Sequence, residues 1–341
     1  MKNSAAPRRF GFTLIEMLVV IAIIAILAAL VTAAVMSGLG KAKDTRIKVE
    51  IDQFDAAMKS FKDKYGAYPP ADLRFSTAAS LPADVLRATN DLKQFISRTF
   101  PRYNPHTTSS PKPWAKLESD LTLAGVDVEI FDPARAMVFW LTAITSDPED
   151  PFGAKAAAAK DRRLLRSPIF DFDKTRFRDA RPVKTTHLVM EDQSKECEIP
   201  QIYMPASGRD VPYLYFDSRI YEIAGVTNKA PNYFPDVDDL MSGNTYMDGS
   251  KGFAYVYVLD VNANSTPEHL NGPDTFCGDQ TFQILSAGQD GMYGSVEKPD
   301  PEDDPLPHLF PTGKNYDLTT GFEDDNLASF CSQGTFESAK P

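Results

Sequence analysis

Apolar positions run without a charge from Met17 to Met36, inside the stretch "RRFGFTLIEMLVVIAIIAILAALVTAAVM" at residues 8–36. At ~1.5 Å of rise per residue, a helix over this run crosses a hydrocarbon core of ~30 Å. The pattern then changes. Ile47, Ile51, Phe54, Met58, Phe61 and Tyr65 recur three and four residues apart, which draws one apolar stripe along a helix. Lys48, Glu50, Asp52, Gln53, Lys59 and Lys62 occupy the other positions. Gly66 and then Pro69-Pro70 stop the pattern, and no proline interrupts it earlier, although Gly38 and Gly40 lie in its middle. The periodicity predicts one helix over 12–65, apolar all round in its first half and amphipathic in its second.

Beyond Ala71 the pattern becomes mixed. Residues 81–100 and 133–144 read as helices, the second largely apolar around Phe139 and Trp140. Residues 109–128 read as partly loop, and the Ala- and charge-rich stretch 148–168 as a surface helix or excursion. The β-branched and aromatic stretches 187–193, 201–206, 211–223, 252–261 and 281–288 read as strands. Residues 228–252, rich in Pro, Gly, Asn and Asp, read as a loop. The fold class expected is α+β.

Placing the chain in a cell depends on charge. Lys2, Arg8 and Arg9 precede the apolar run, so the positive-inside rule puts the N-terminus in the cytoplasm and the rest outside, with a single pass. The run is too long for a secretory signal peptide and no small-residue cleavage site follows it. A formal net charge of −11 argues against nucleic acid as a partner. His106, His187, His269 and His308 are dispersed, and no metalloprotease, P-loop, serine-hydrolase or dinucleotide pattern is present, so no enzyme activity is expected. Cys197, Cys277 and Cys331 form no CxxC pair. In an oxidising compartment a Cys277–Cys331 bridge is the candidate disulfide, and the spacing is equally compatible with no bridge.

Gly11, Phe12 and Glu16, behind a basic leader and ahead of an uninterrupted span, resemble the N-terminus of type IV prepilins and pseudopilins. The stretch "KAKDTRIKVEIDQFDAAMKSFKDKYGAYPP" is similar to the corresponding helix of type II secretion major pseudopilins. The resemblance covers residues 8–70. It implies a leader at 1–11 that a prepilin peptidase removes between Gly11 and Phe12, with methylation of the new amine on Phe12. It further implies a transmembrane and filament-core helix at 12–36, an amphipathic continuation at 37–66, and an extracytoplasmic pilin-like head at 67–341. In that head an antiparallel sheet packs on the long helix, residues 71–270 include a large insertion, and residues 271–341 form a C-terminal loop region. Where many members carry a proline, this chain has Ala33, which argues against local melting of the helix.

Glu16 acquires a role from the same resemblance. A lone carboxylate deep in a membrane costs ~2.5–3.5 kcal/mol. The family reading is that Glu16 of one subunit pairs with the Phe12 amine of a neighbour, a pairing that sets subunit register; the simpler alternative is a glutamate reaching to the headgroups. A second similarity lies in "ILSAGQDGMYGS" and "GFEDDNLASF", which look like the calcium loop of major pseudopilins. Asp290 matches the loop aspartate, Asp325 or Asp324 the later ligand, and the Ala287 carbonyl a further one. The intervening segment supplies rival acids in Asp303 and Asp304, and Asp236, Asp238 and Asp239 form another acidic cluster that reads as loop.

The implied function is structural: a subunit of a type II secretion-like pseudopilus in the bacterial inner membrane, with its head in the periplasm. Its partners would be copies of itself, the prepilin peptidase, the inner-membrane secretion platform and minor pseudopilins. The alternatives are a type IV pilin or minor tip pilin, and a membrane-tethered enzyme or binding protein that uses a pilin-type leader.

Overall fold

The computed structural model describes residues 12–106, 114–124, 126, 128–129, 132–153, 167–178, 202–206, 211–221, 254, 256–260, 275–294, 308–313, 323–332 and 334–340. The chain divides into two compact units, Met1–Lys43 and Asp44–Pro341. The main element of the first unit is the N-terminal part of α1, a helix over Leu14–Tyr65 that passes through Ala33 without a break. Its large apolar side chains from Phe12 to Leu39 are exposed on every side.

In the second unit α1 is amphipathic as its spacing predicts. Ile47, Ile51, Phe54, Met58 and Phe61 are each fully buried. Burying side chains of this size stabilises by ~1.5–3 kcal/mol apiece relative to leaving them in water. Gly66 closes the helix in the left-handed conformation, φ +84°, and its N–H bonds the Lys62 carbonyl at 2.7 Å.

Among the described residues, α2 (Ala83–Thr99), α3 (Ala115–Leu123) and α4 (Pro133–Thr142) share the hydrophobic core of α1. Segment 109–128, expected as partly loop, thus contains a helix, with Leu117 and Leu121 buried one turn apart. Helix α4 is buried from Pro133 to Leu141. Its start is set locally: Asp132 accepts the Arg135 N–H at 3.0 Å and Pro133 takes the first turn. Trp140 then donates its indole N–H to the Pro70 carbonyl at 2.8 Å, which fixes the chain just past α1.

Among the described residues the strands are short and fall into three small sheets. Strands β1 (Phe177–Arg178) and β2 (Ile202–Tyr203) pair antiparallel. Strand β3 (Leu214–Asp217), β6 (Phe282–Ser286) and β8 (Leu327–Ala328) form an antiparallel sheet in the order β3-β6-β8. Strands β4 (Tyr257–Leu259), β5 (Thr275–Phe276) and β7 (His308–Phe310) form the third, in the order β5-β4-β7. The head is therefore not wholly antiparallel, because β4 and β7 run parallel, a pairing that the long intervening chain permits. Gln283 joins the last two sheets: its side chain accepts from the Tyr257 N–H and donates to the carbonyls of Tyr257 and Cys277. A short helix, α5 (Phe336–Ala339), ends the described chain.

The described parts of 71–270 are integral to this head. Trp140, Phe172, Tyr203 and Tyr213 share one hydrophobic core with Phe54 and Phe61 of α1. The expected strand at 187–193, the loop at 228–252 and most of 148–168 lie outside the described residues.

Candidate functional site: the N-terminal segment and a carboxylate-lined loop

Helix α1 begins with a capping box, Thr13-Leu14-Ile15-Glu16. One carboxylate oxygen of Glu16 accepts the Thr13 N–H at 2.8 Å and the Thr13 hydroxyl at 2.7 Å. The Glu16 N–H reaches back to the Thr13 hydroxyl oxygen at 3.3 Å. Within the subunit, then, Glu16 already serves the first helical turn. Phe12 precedes the cap and is 75% exposed, and Gly11 lies outside the described residues. The signal for the cap was present in the sequence as T-x-x-E.

The second cluster forms at the end of β6, where the chain turns through Ala287 to Gly294. Gly288 lies so close to Asp325 that a Cβ there would stand 1.4 Å from its carboxylate oxygen and 1.8 Å from its carboxyl carbon. The other Asp325 oxygen accepts the Asp290 N–H at 3.0 Å. Asp290 folds its own carboxylate onto the Met292 N–H at 2.7 Å. Buried Asn326 spans the base of the loop, accepting the Gly288 N–H at 2.9 Å and donating to the Tyr293 carbonyl at 2.8 Å. The Tyr293 hydroxyl anchors the far end on the Pro212 carbonyl, and burial pushes its pKa up.

The structure thus brings Asp290 and Asp325 together, with the buried Ala287 directly after the last β6 pair. Asp324 turns elsewhere: its carboxylate pairs with Lys340 at 2.5 Å, and its carbonyl accepts the Glu337 N–H at 2.6 Å. Asp303, Asp304 and the cluster at 236–239 lie outside the described residues. Two carboxylates and a carbonyl make an oxygen-only donor set that suits a hard dication. Among the described residues no group of three or more His, Cys, Asp or Glu side chains gathers.

Cys277 and Cys331 are both buried thiols, so the structure does not contain the candidate bridge between them. Burial pushes the Cys277 thiol pKa up, and Cys331 nearby adds to the effect. His308 pairs with buried Glu323 at 2.7 Å, and the Tyr257 hydroxyl donates to the same carboxylate oxygen at 2.9 Å. Sequence reasoning also missed the polar centre on α1. Glu50 takes Arg176 on one carboxylate oxygen and the Tyr213 hydroxyl on the other, at 2.5 Å in the second case. Burial, followed by the Glu50 charge, pushes Tyr203 up to about 12, and Arg176 stacks 4.2 Å over its ring.

Residues 7–32, which contain the capped helix start, match the family described as "Prokaryotic N-terminal methylation motif". The chain is 43% identical over 81 residues to "Type II secretion system core protein G" of Pseudomonas aeruginosa, a match covering 24% of this chain and 53% of that protein. The chain thus spans about half the length of the curated relative it matches. No solved structure matches it. Among the described residues, α1 is the helix long and apolar enough to cross a membrane.

Proposed function

We propose that the chain is a structural subunit of a type II secretion-like pseudopilus in the bacterial inner membrane, cut after Gly11, methylated on Phe12 and polymerised through α1. The observation that carries this reading is the junction of a methylation motif with a helix whose apolar circumference is exposed from Phe12 to Leu39. Such a surface requires lipid or neighbouring helices to cover it. Cleavage would create a positive amine on Phe12, and Glu16 of an adjacent subunit would accept it. Opposite charges attract more strongly between packed helices in lipid than in water. Glu16 would exchange some of its cap for the neighbour's amine there.

The Glu16→Ala chain should be cleaved like the wild type, seen as the same mobility shift on a gel, yet yield no filaments by electron microscopy. Filaments of normal length and abundance would overturn the pairing. Non-enzymatic function agrees with the relative's name as a core protein of a secretion system.

Calcium belongs to the same reading. Asp290, Asp325 and the Ala287 carbonyl are the groups that would hold it, and a bound dication would neutralise the two carboxylates. Calcium should raise the melting temperature of the full chain in detergent micelles, and Asp290→Ala should remove that increment. No increment in the wild type, or an equal one in the variant, counts against the site.

A further inference from the structure

We infer that the carboxylate-lined loop is clasped to α1 by Gln289 and Asp44, and that this clasp positions the loop for its cation. The inference rests on the calcium reading above and extends it to residues that touch no cation. Gln289, next to Asp290, donates its side-chain amide to the Asp44 carboxylate at 2.7 Å. One helical turn further on, Lys48 donates to the Ala328 carbonyl at 3.1 Å, three residues beyond Asp325. Asp44 and Lys48 are four apart, hence neighbours on one face of α1. Each thus holds one of the two chain segments that bring a candidate ligand to the loop.

The contacts are placed where they have leverage. Asp44 is only 9% exposed, and Lys48 is half-buried and also paired with Asp52 at 2.8 Å. Asn326 fixes the loop's two ends, and Asp325 closes on Gly288. The outer turn at Gln289-Asp290, with both residues exposed, is held from outside the loop by Asp44. A cation that draws Asp290 toward Asp325 needs the peptide between Gly288 and Gly291 in one conformation. The clasp supplies part of that ordering beforehand, which lowers the entropy lost on binding. By linkage, cation binding must tighten the Gln289–Asp44 contact by the same factor, and so order the turn of α1 at 44–48.

The test uses the full chain in detergent micelles with calcium as the probe. Gln289→Ala, Asp44→Ala and the double variant are compared for calcium affinity by titration and for amide exchange at 44–48 with calcium or chelator. Each single variant should bind calcium about three- to tenfold more weakly, the scale of one net hydrogen bond, and the double variant no more weakly than either single. Calcium should slow exchange at 44–48 in the wild type and not in Gln289→Ala. Wild-type affinity in both singles, or losses that add in the double, would overturn the clasp while leaving the cation site standing. Absence of calcium binding by the wild type would overturn the cation site and the clasp's role with it.

Discussion

At Gly288 the constraint on the loop is steric rather than conformational. Its backbone lies against the Asp325 carboxyl group, and any Cβ would overlap that group at 1.4 Å. Gly288→Ala must therefore displace Asp325, which breaks its bond to the Asp290 N–H, or shift β6 away from β8. Overpacking of this kind costs about 1–3 kcal/mol. The variant should melt several degrees lower than the wild type and lose any calcium increment, while an unchanged melting curve would show that Asp325 lies elsewhere. The sequence made Gly288 visible as a loop glycine and Asp290 as a carboxylate, but it left Asp324 and Asp325 equivalent. What separates them is their partners, Lys340 in one case and Asp290 with Gly288 in the other, and those partners lie 16 and 35 or more residues away in the chain. Thr13 shows the reverse: its capping partner Glu16 stands three residues away, so the box is legible as T-x-x-E.

Among the elements, α1 was readable because its stripe repeats over five turns and its ends carry their own punctuation, Gly66 and the capping box. Helices α2 and α4 were readable for the same reasons of length and apolar content. Of the strands, β2, β3, β4 and β6 fall within the stretches 201–206, 211–223, 252–261 and 281–288 that the sequence marks. The others were not marked, and β1, β5 and β8 have two residues each, too few to display an alternation. Their pairing depends on residues far along the chain, such as Gln283 between two sheets. The attachment of β1 and β2 to α1 was also hidden, because Glu50 looked like one more solvated residue on the polar face. Instead it accepts from Arg176 and Tyr213, with Tyr203 at 3.4 Å, and its side chain is 12% exposed. Glu50→Ala would leave the Arg176 charge and two hydroxyls without their acceptor. Breaking a buried pair in this way costs about 3–5 kcal/mol. Glu50→Gln keeps an acceptor for Tyr213 and should cost less. Thermal melting of both variants decides the matter, and equal, negligible losses would mean that β1 and β2 are held by their aromatic packing on Phe54 alone.

For the molecule as a whole, acidity is the dominant electrostatic fact, with a formal net charge of −11 and 47 acidic residues against 36 basic ones. Self-repulsion among so many carboxylates eases as pH falls toward their pKa range. Individual carboxylates then add or subtract. Asp173 is held low by the hydroxyl and N–H of Thr175, so it contributes stability above the ordinary carboxylate value and loses it as pH falls through its own lower one. Asp91 on α2 has the opposite sign. Half-buried, it is held above the ordinary carboxylate range by desolvation, and the attraction of Arg219 and Arg87 does not fully offset this. A raised carboxylate binds its proton more readily in the folded chain than in the unfolded one. Its contribution is therefore most favourable below the unfolded value and is lost as pH rises through the folded one. At pH 7 the ionised Asp91 is a net cost, limited by solvent screening because the group is only half-buried. Asp91→Asn keeps the shape without the charge, so it should raise the melting temperature at pH 7 and leave it unchanged near pH 3, where the wild-type side chain is already neutral. A variant that melts lower than the wild type at pH 7 would mean that Arg219 and Arg87 outweigh desolvation, and that the ionised Asp91 stabilises α2 on the head.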